Sequence, residues 1–313
     1  MDSIILAFKV VFPIFTYIII GYILKIKNFF DEKSLVVINN LVFKLFLPCM
    51  LFYNIYNTEI SEVLNIRLIG FSVAFILLVF AALMIISPYF IKDGSKCGVF
   101  IQGSFRSNFV LFGLPVTLSL LGEGKGGLTI VAIAIVIPLY NILAVICLER
   151  FRNGKTDIVS LFNGIIKNPL IIASLLGFIF LLFNIRLPDF CDTTIKNLSN
   201  VATPLSLIGL GGTFTFSSLG ENAKILIAII CIKMLVLPIT ALTIGAYFFG
   251  ITGAPFVTLI SIFTSPTAVS SFTMAQAMGG DSNIAAQTVV LTTLFSVFSV
   301  FMFVAVSKSL LLF

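Results

Sequence analysis

Long apolar stretches separated by short polar segments run through the whole sequence. An α-helix needs about 20 apolar residues to cross a bilayer, and ten stretches approach that length. They cover residues 4–24, 35–56, 66–90, 97–121, 127–148, 161–183, 194–219, 222–250, 253–278 and 283–306. The longest polar interruption, at 149–160, lies between the fifth and the sixth. The pattern predicts an all-α polytopic membrane protein with ten transmembrane helices, numbered here as spans 1 to 10.

Two spans contain residues that a lipid-facing helix avoids. Span 4 carries Asn108, Gly113 and Pro115, and span 9 carries the segment 264–267, which reads Thr-Ser-Pro-Thr. Proline lacks the N–H of a helical residue and clashes with the preceding turn. Irregular backbone at membrane depth is tolerated where protein encloses it or where it lines a cavity, and paired broken helices often form a transporter's substrate site. We therefore expect helix breaks within the stretches 107–115 and 264–267, with Pro115 and Pro266 facing each other across a polar cavity that includes Asn108.

The charge balance fits a membrane protein and suggests an orientation. Only 10% of the 313 residues are charged, against about 25% in soluble domains, while 59% are hydrophobic. The net charge of +6 is therefore attributed to basic cytoplasmic loops and not to a nucleic-acid partner. Nine Lys and Arg residues lie in the odd-numbered loops and four in the even-numbered loops. The asymmetry predicts a plasma-membrane protein with both termini outside and loop 149–160 inside.

The two halves of the chain share landmarks at nearly one offset. Pro48 and Pro204 are 156 residues apart, Pro115 and Pro266 are 151 apart, and Arg67 and Lys224 are 157 apart. Five spans per half is an odd number, so the second half would cross the membrane in the opposite direction. We expect an inverted repeat, a common transporter architecture, with residues 1–150 and 161–313 as the two copies and 151–160 as a short cytoplasmic loop.

Three basic residues fall near the middle of predicted spans: Lys44, Arg106 and Lys233. A charge at the bilayer centre costs about 2.5–3.5 kcal/mol, so such residues usually face a partner, a cavity or a substrate. All Asp and Glu residues lie in predicted loops or at span ends, which leaves no acidic partner in the membrane. Either an anionic substrate compensates these charges, or they are structural ties to carbonyl groups and water at the helix breaks.

Polar groups near the two breaks complete the candidate site. The Asn108 amide can donate hydrogen bonds to a carboxylate, although it could instead cap a half-helix. The N-termini of half-helices add free N–H groups and positive dipole ends, which favour anions. Hydroxyls come from span 9, and spans 2 and 5 supply wall or support residues. The candidate substrate-binding residues are Asn108, Gly113, Pro115, Thr264, Ser265, Pro266, Thr267, Lys233, Lys44, Asn39, Tyr140 and Asn141.

Several of these stretches resemble the auxin efflux carrier family, which includes the plant PIN proteins and short bacterial permeases. The matching stretches are 38–48, with Asn39, Asn40 and Pro48; Asn108 to Pro115 followed by Gly122-Glu123; Lys233 with Pro238; and Ser265-Pro266. The resemblance covers essentially the whole chain. It implies crossed, broken helices 4 and 9, and a transport domain of helices 3–5 and 8–10 on a scaffold of helices 1, 2, 6 and 7, assembled as a homodimer. The central loop is short, so regulation through a long phosphorylated loop is not expected.

We therefore expect a secondary transporter of a small organic anion that works by alternating access. The basic cavity and the resemblance together favour a carboxylate, and the resemblance alone suggests malate, malonate or an auxin-like acid. Three alternatives stay open: a Na⁺- or H⁺-coupled carrier of similar fold, a channel, and a membrane sensor. The chain contains no nucleotide-binding P-loop, no nucleophile–base pair and no Cys-x-x-Cys motif. Neither an enzyme, nor a cofactor, nor a metal site is expected.

Overall fold

The computed structural model describes residues 2–57, 65–122, 125–152 and 164–313, and within them every regular element is a helix. The helices are α1 Asp2–Ile26, α2 Glu32–Tyr56, α3 Ile66–Phe90, α4 Gly94–Phe105, α5 Leu114–Leu121, α6 Gly127–Arg152, α7 Pro169–Leu182, α8 Asp189–Thr213, α9 Leu219–Tyr247, α10 Ala254–Thr264, α11 Ser270–Ala277 and α12 Ser282–Ser309. Helices α4 and α5 share predicted span 4, and α10 and α11 share span 9. Most of the expected loop at 149–160, and Glu123, lie outside the described residues.

The described helices confirm a polytopic membrane protein. Six of them are long and apolar enough to cross a bilayer when α4 and α5 are counted together, and shorter apolar helices accompany them. The long ones are Glu32–Tyr56, Ile66–Phe90, Gly94–Leu121, Gly127–Arg152, Leu219–Tyr247 and Ser282–Ser309, and the shorter ones are Val11–Ile26, Pro169–Leu182 and Ala254–Thr264. The full set of ten spans and the inverted repeat remain predictions.

Side chains at loop ends fix where several helices begin. The carboxylates of Asp31, Asp93 and Asp281 accept from backbone N–H groups at the starts of α2, α4 and α12, at distances of 2.8, 2.9 and 3.0 Å. Asn65 caps α3 in the same way, with 2.9 Å to the N–H of Leu68. These N-caps satisfy N–H groups that have no partner inside the helix. Acidic residues therefore mark helix starts outside the apolar spans.

Glycines allow very close packing of α1 against α8. A Cβ atom added to Gly21 would lie 2.0 Å from the backbone oxygen of Ile208, and one added to Gly211 would lie 2.0 Å from that of Ile18. The two backbones therefore touch directly at two points, as small residues permit in membrane helices. α8 also packs against α2, which packs in turn against α7. We call these four helices, α1, α2, α7 and α8, the frame.

The remaining helices, α3–α6 and α9–α12, pack around the two interrupted spans, and we call them the crossover unit. α4 contacts α3 and α6, and α10 contacts α5 and α9. A buried chain of hydroxyls ties three of these helices together. Thr117 of α5 lies 2.8 Å from Ser261 of α10, and Thr129 of α6 lies 2.7 Å from Thr258 of α10, measured between hydroxyl oxygens.

Prolines in three spans are accommodated by π-helical turns. These turns are Val42–Phe46, Phe109–Gly113 and Ile232–Val236, and each is followed by a Leu-Pro pair. In each pair the leucine N–H bonds the carbonyl five residues back, for example Leu114 to Phe109. The widened turn lets the helix run on through the proline. The interruption of span 4 therefore lies at the beginning of the stretch 107–115 and not at Pro115, because the chain leaves helical geometry at residues 106–108.

Candidate functional site

The two interrupted spans cross where their backbones leave the helix. α4 ends at Phe105, and residues 106–108 separate it from the π-turn that leads into α5. α10 ends at Thr264, and α11 begins at Ser270. The N–H of Asn108 donates to the carbonyl of Pro266 at 2.7 Å. The partner of Pro266 across the crossing is therefore Asn108, and Pro115 lies farther along α5.

Helix direction gives the crossing two electrically different sides. α4 and α10 reach it with their C-terminal ends, which carry the partial negative charge of the helix dipole. α5 and α11 leave it with their N-terminal ends, which present free N–H groups and partial positive charge. An anion is therefore favoured where α5 and α11 begin, and a cation is favoured where α4 and α10 end.

A cavity lies on the side where α5 and α11 begin. Its volume is about 70 Å³, room for about two water molecules at ~30 Å³ each or for a carboxylate group. One wall comes from the crossing and from α6, and the opposite wall comes from the frame helices α2 and α8. The polar lining residues are Asn54, Arg106, Ser107, Asn108, Tyr140, Asn141, Thr203, Ser206 and Ser270.

Arg106 holds the first break in place from the edge of this cavity. Its side chain is 3% exposed and donates to the amide oxygen of Asn141 on α6. It also donates to Ser270 Oγ and to Met274 Sδ on α11, at 2.8 Å each. One guanidinium thus joins the first break to α6 and to the start of α11, and it places a positive charge on the anion-favouring side.

Four polar atoms around this cavity have no hydrogen-bond partner within the described residues. They are the amide nitrogens of Asn108 and Asn141, the hydroxyl of Ser107 and the hydroxyl of Tyr140. Buried polar groups are normally paired, with protein or with water, because leaving them unpaired costs about 1–3 kcal/mol. All four residues line the cavity. These four donors are therefore unpaired beside the cavity, and a ligand or water that reached them would satisfy them.

The hydroxyls of span 9 lie near the crossing but are already bonded. Thr264 donates to Ile260 at 2.9 Å and Ser265 to Ser261 at 2.6 Å, both to carbonyls of their own helix. Thr267 instead reaches across the crossing: its hydroxyl donates to the carbonyl of Gly103 at 2.8 Å, and its N–H to Thr292 Oγ1 at 3.2 Å. These residues build the crossing. The part of span 9 that reaches the cavity is Ala268, Val269 and Ser270.

The remaining candidates divide between enclosed and outer positions. Asn39 is buried in the frame, where a Cβ on Gly209 would lie 3.0 Å from its amide oxygen. Gly113 is buried against the ring of Phe109. Lys233 is completely buried, whereas Lys44 is exposed on the outer surface. None of these four residues lines the cavity.

The list of candidate substrate-binding residues drawn from the sequence lacks six polar lining residues, although Arg106 was singled out as a central basic residue. They are Asn54, Arg106, Ser107, Thr203, Ser206 and Ser270. Three belong to frame helices, where a hydroxyl or an amide looks like ordinary helix packing. Pro204 was the one feature that could have indicated two of them. It matches Pro48 of span 2 in the predicted repeat, and Thr203 and Ser206 lie close to it in the sequence. Nothing in the pattern around Ser270 set it apart from the other hydroxyls of span 9.

The arrangement is that of a membrane transport site: polar breaks enclosed by apolar helices, with a small anion-favouring cavity between two groups of helices. Within the described residues no group of three His, Cys, Asp or Glu side chains could hold a metal ion. The chain belongs to the membrane transport protein family, whose model matches residues 6–304. This match confirms the resemblance to auxin efflux carriers, and it makes the protein a transporter, not an enzyme.

Two relatives carry the same description. An uncharacterized transporter of Methanocaldococcus jannaschii is 26% identical over 297 residues, covering 92% of this chain and 94% of the relative. An uncharacterized transporter of Methanothermobacter thermautotrophicus is 22% identical, covering 93% and 95%. The similarity thus extends over nearly the full length of all three proteins.

Proposed function

We propose that the protein transports a small organic anion, with a carboxylate bound in the cavity where α5 and α11 begin. The single observation that carries this proposal is the set of unpaired amide and hydroxyl groups around that cavity, next to a buried guanidinium. The amides of Asn108 and Asn141 donate to a carboxylate, and Arg106 supplies the compensating charge. The family resemblance favours malate, malonate or an auxin-like acid within this class.

The proposed mechanism is alternating access, in which the crossover unit moves against the frame. Its support is that the cavity lies between the two groups of helices, with the crossing on one side and Asn54, Thr203 and Ser206 of the frame on the other. Movement of one wall against the other would change the access to a carboxylate bound between them. Ten spans, an inverted repeat and a homodimer in the plasma membrane complete the proposal.

Substitution of Asn108 tests the binding site. Loss of one buried polar contact costs about 1–3 kcal/mol, so Asn108→Ala should weaken carboxylate binding roughly 5- to 150-fold. Asn108→Asp should weaken it further, because it opposes the substrate with a like charge. Isothermal titration of the purified protein with a panel of carboxylates and their neutral amide analogues measures both effects.

A matched control is Asn57→Ala, which removes the same side chain from an exposed position after α2. It should bind like the wild type. Unchanged carboxylate affinity in Asn108→Ala would reject the proposed site, and equal losses for the acid and its amide would reject the anion preference.

The proposed orientation needs a separate test. A cysteine at position 153, in a background without the five native cysteines, should resist membrane-impermeant thiol reagents in intact cells. Ready labelling there would place the central loop outside and reverse the orientation.

A further inference from the structure

A groove opens on the crossover unit between the end of α3 and the start of α9. Its volume is about 400 Å³, within the range of about 300–1,000 Å³ that is usual for ligand sites. α4, which packs against both helices, contributes the buried side chain of Phe100. The groove shares no lining residue with the cavity at the crossing, so it is a second, separate feature of the molecule.

The wall of this groove is almost entirely apolar. α3 contributes Ala82, Ile86 and Phe90 to it, and α9 contributes Ala228 and Ile232. Ile86 is 52% exposed and Phe90 is 82% exposed, so the rim of the groove faces the bilayer. A hydrocarbon chain is therefore the ligand that matches this wall, and the surrounding lipid supplies such chains.

One end of the groove is basic. α4 runs back from the end of α3, and Ile229 of α9 lies 3.6 Å from the position of a Cβ on Gly103, in the last turn of α4. α9 therefore begins at the end of the groove where α3 finishes. Lys224, in the second turn of α9, is exposed and lines the groove there, whereas Ile232 lines it two helical turns deeper.

Two more lysines lie near this end. Lys92 directly follows Ile91, another lining residue, and Lys96 lies in the first turn of α4. Asp93 caps α4 and Glu221 lies in the first turn of α9, but neither forms an ion pair with a lysine in the part of the chain that the structure describes. In the proposed orientation the lysines lie at the cytoplasmic face, where anionic lipids create a negative surface potential.

A buried hydroxyl without a partner belongs to the same groove. Ser87, in the last turn of α3, is 2% exposed and lines the groove, and its hydroxyl has no hydrogen-bond partner within the described residues. A helical serine can bond the carbonyl four residues back, as Ser104 does to Phe100 at 2.7 Å. Because Ser87 does not, an acceptor on a ligand in the groove would satisfy its hydroxyl.

We propose that this groove binds an anionic phospholipid. One acyl chain lies along the apolar wall between α3 and α9, the phosphate contacts the ammonium of Lys224, and the hydroxyl of Ser87 donates to an oxygen of the glycerol backbone. None of the lining residues belongs to the frame, so the lipid joins α3 to α9 within the crossover unit. The site does not depend on the identity of the transported substrate.

The test measures lipid binding to the full chain in detergent, by native mass spectrometry and by thermal unfolding. The added lipids are phosphatidylglycerol and phosphatidylcholine with identical acyl chains, so that the headgroups differ in net charge. Lys224→Gln removes the positive charge, and its control is Lys33→Gln, at an exposed lysine near the start of α2 that does not line the groove. Ala82→Phe fills the groove, and its control is Ala81→Phe, at the exposed neighbour that does not line it.

The wild type and both controls should bind phosphatidylglycerol more tightly than phosphatidylcholine and melt at a higher temperature in its presence. Lys224→Gln should lose about fivefold in affinity for phosphatidylglycerol alone, the contribution of one lysine near anionic lipid. Ala82→Phe should lose about tenfold in affinity for both lipids, because it excludes part of the chain from the groove. Ser87→Ala should lose about threefold for both.

Binding of phosphatidylglycerol to Lys224→Gln as tightly as to the wild type would overturn the proposal. Lys224 is exposed, so this variant should fold even if Ala82→Phe does not. Equal binding of both lipids by the wild type would leave only nonselective contact with the bilayer. Equal stabilisation by inorganic phosphate alone would assign the lysines to a free anion. A dimer that dissociates in Ala82→Phe, with lipid binding unchanged, would make the groove a contact between two copies of the chain.

Discussion

The frame and the crossover unit differ in how many of their buried polar side chains lack a hydrogen-bond partner. In the described part of the chain, the only frame side chain with buried polar atoms that lack partners is Asn39. The crossover unit and its breaks contain all the others, which are Ser72, Ser87, Gln102, Ser107, Asn108, Tyr140, Asn141, Lys233, Ser271, Gln276, Thr288, Thr293 and Ser299. The frame is held by close packing, and the crossover unit keeps polar groups available to ligand, ion or water.

This difference indicates that the two regions have different functions. Direct backbone contact through Gly21 and Gly211 gives the frame little freedom to rearrange. Unpaired polar groups destabilise the crossover unit until something binds them, so ligands can shift its conformation. A change in the frame should therefore act on folding. In the crossover unit, a change to a bonded polar group should also lower stability, whereas a change to an unpaired polar group should act mainly on binding, and the predictions below test that division.

The largest effect is expected from Gly21→Ala in the frame. The added methyl group would overlap the backbone oxygen of Ile208, which cannot move without separating α1 from α8. Overpacking of this kind costs about 3 kcal/mol or more, so the melting temperature and folded yield should fall sharply. Gly70→Ala is the control, because nothing lies within 4 Å of a Cβ there. Equal stability of the two variants would contradict the close contact.

A somewhat smaller effect is expected from Arg106→Lys at the first break. Lysine keeps the charge but cannot bond to Asn141, Ser270 and Met274 together, as the guanidinium does. We expect a loss of about 2–3 kcal/mol in stability, measured by thermal unfolding. A saturating carboxylate should recover part of it. A variant as stable as the wild type, with weakened binding alone, would make Arg106 a pure substrate ligand.

A comparison of prediction with structure shows why Pro115 was taken to mark the first break. The apolar pattern predicted span 3 at 66–90, which matches α3, because hydrophobic length and an Asn65 cap agree there. Pro115 looked like the break, but the π-turn Phe109–Gly113 accommodates the proline within a continuing helix. The break instead depends on tertiary contacts that Arg106 and Asn108 make with residues far away in the sequence.

Two other positions show the same limit. Span 7 was expected at 194–219, but α8 runs Asp189–Thr213. Its first turns are polar and therefore resemble a loop in the sequence, although Asp189 and Asp192 favour a helix N-terminus. Lys44 and Lys233 could not be distinguished in the sequence, since each precedes a proline in an apolar span. Only packing makes one exposed and the other enclosed.

Thr267→Val should have a moderate effect, because it removes a bonded hydroxyl from the crossing. The Thr267 hydroxyl donates to the carbonyl of Gly103 at 2.8 Å, and valine has the same shape without a donor. Leaving that buried carbonyl without this donor should cost about 1–2 kcal/mol in the free energy of unfolding. Chemical denaturation in detergent measures the loss. No change would mean that another donor or water already serves Gly103.

The smallest effect on stability is expected from Thr293→Val on α12. Its buried hydroxyl has no partner within the described residues, so replacing it with a methyl group removes an unpaired polar atom and leaves none behind. Stability should stay within about 1 kcal/mol of the wild type or rise. A loss of stability as large as that of Thr267→Val would mean that both hydroxyls stabilise the fold equally. The proposed difference between hydrogen-bonded and unpaired polar groups of the crossover unit would then be wrong.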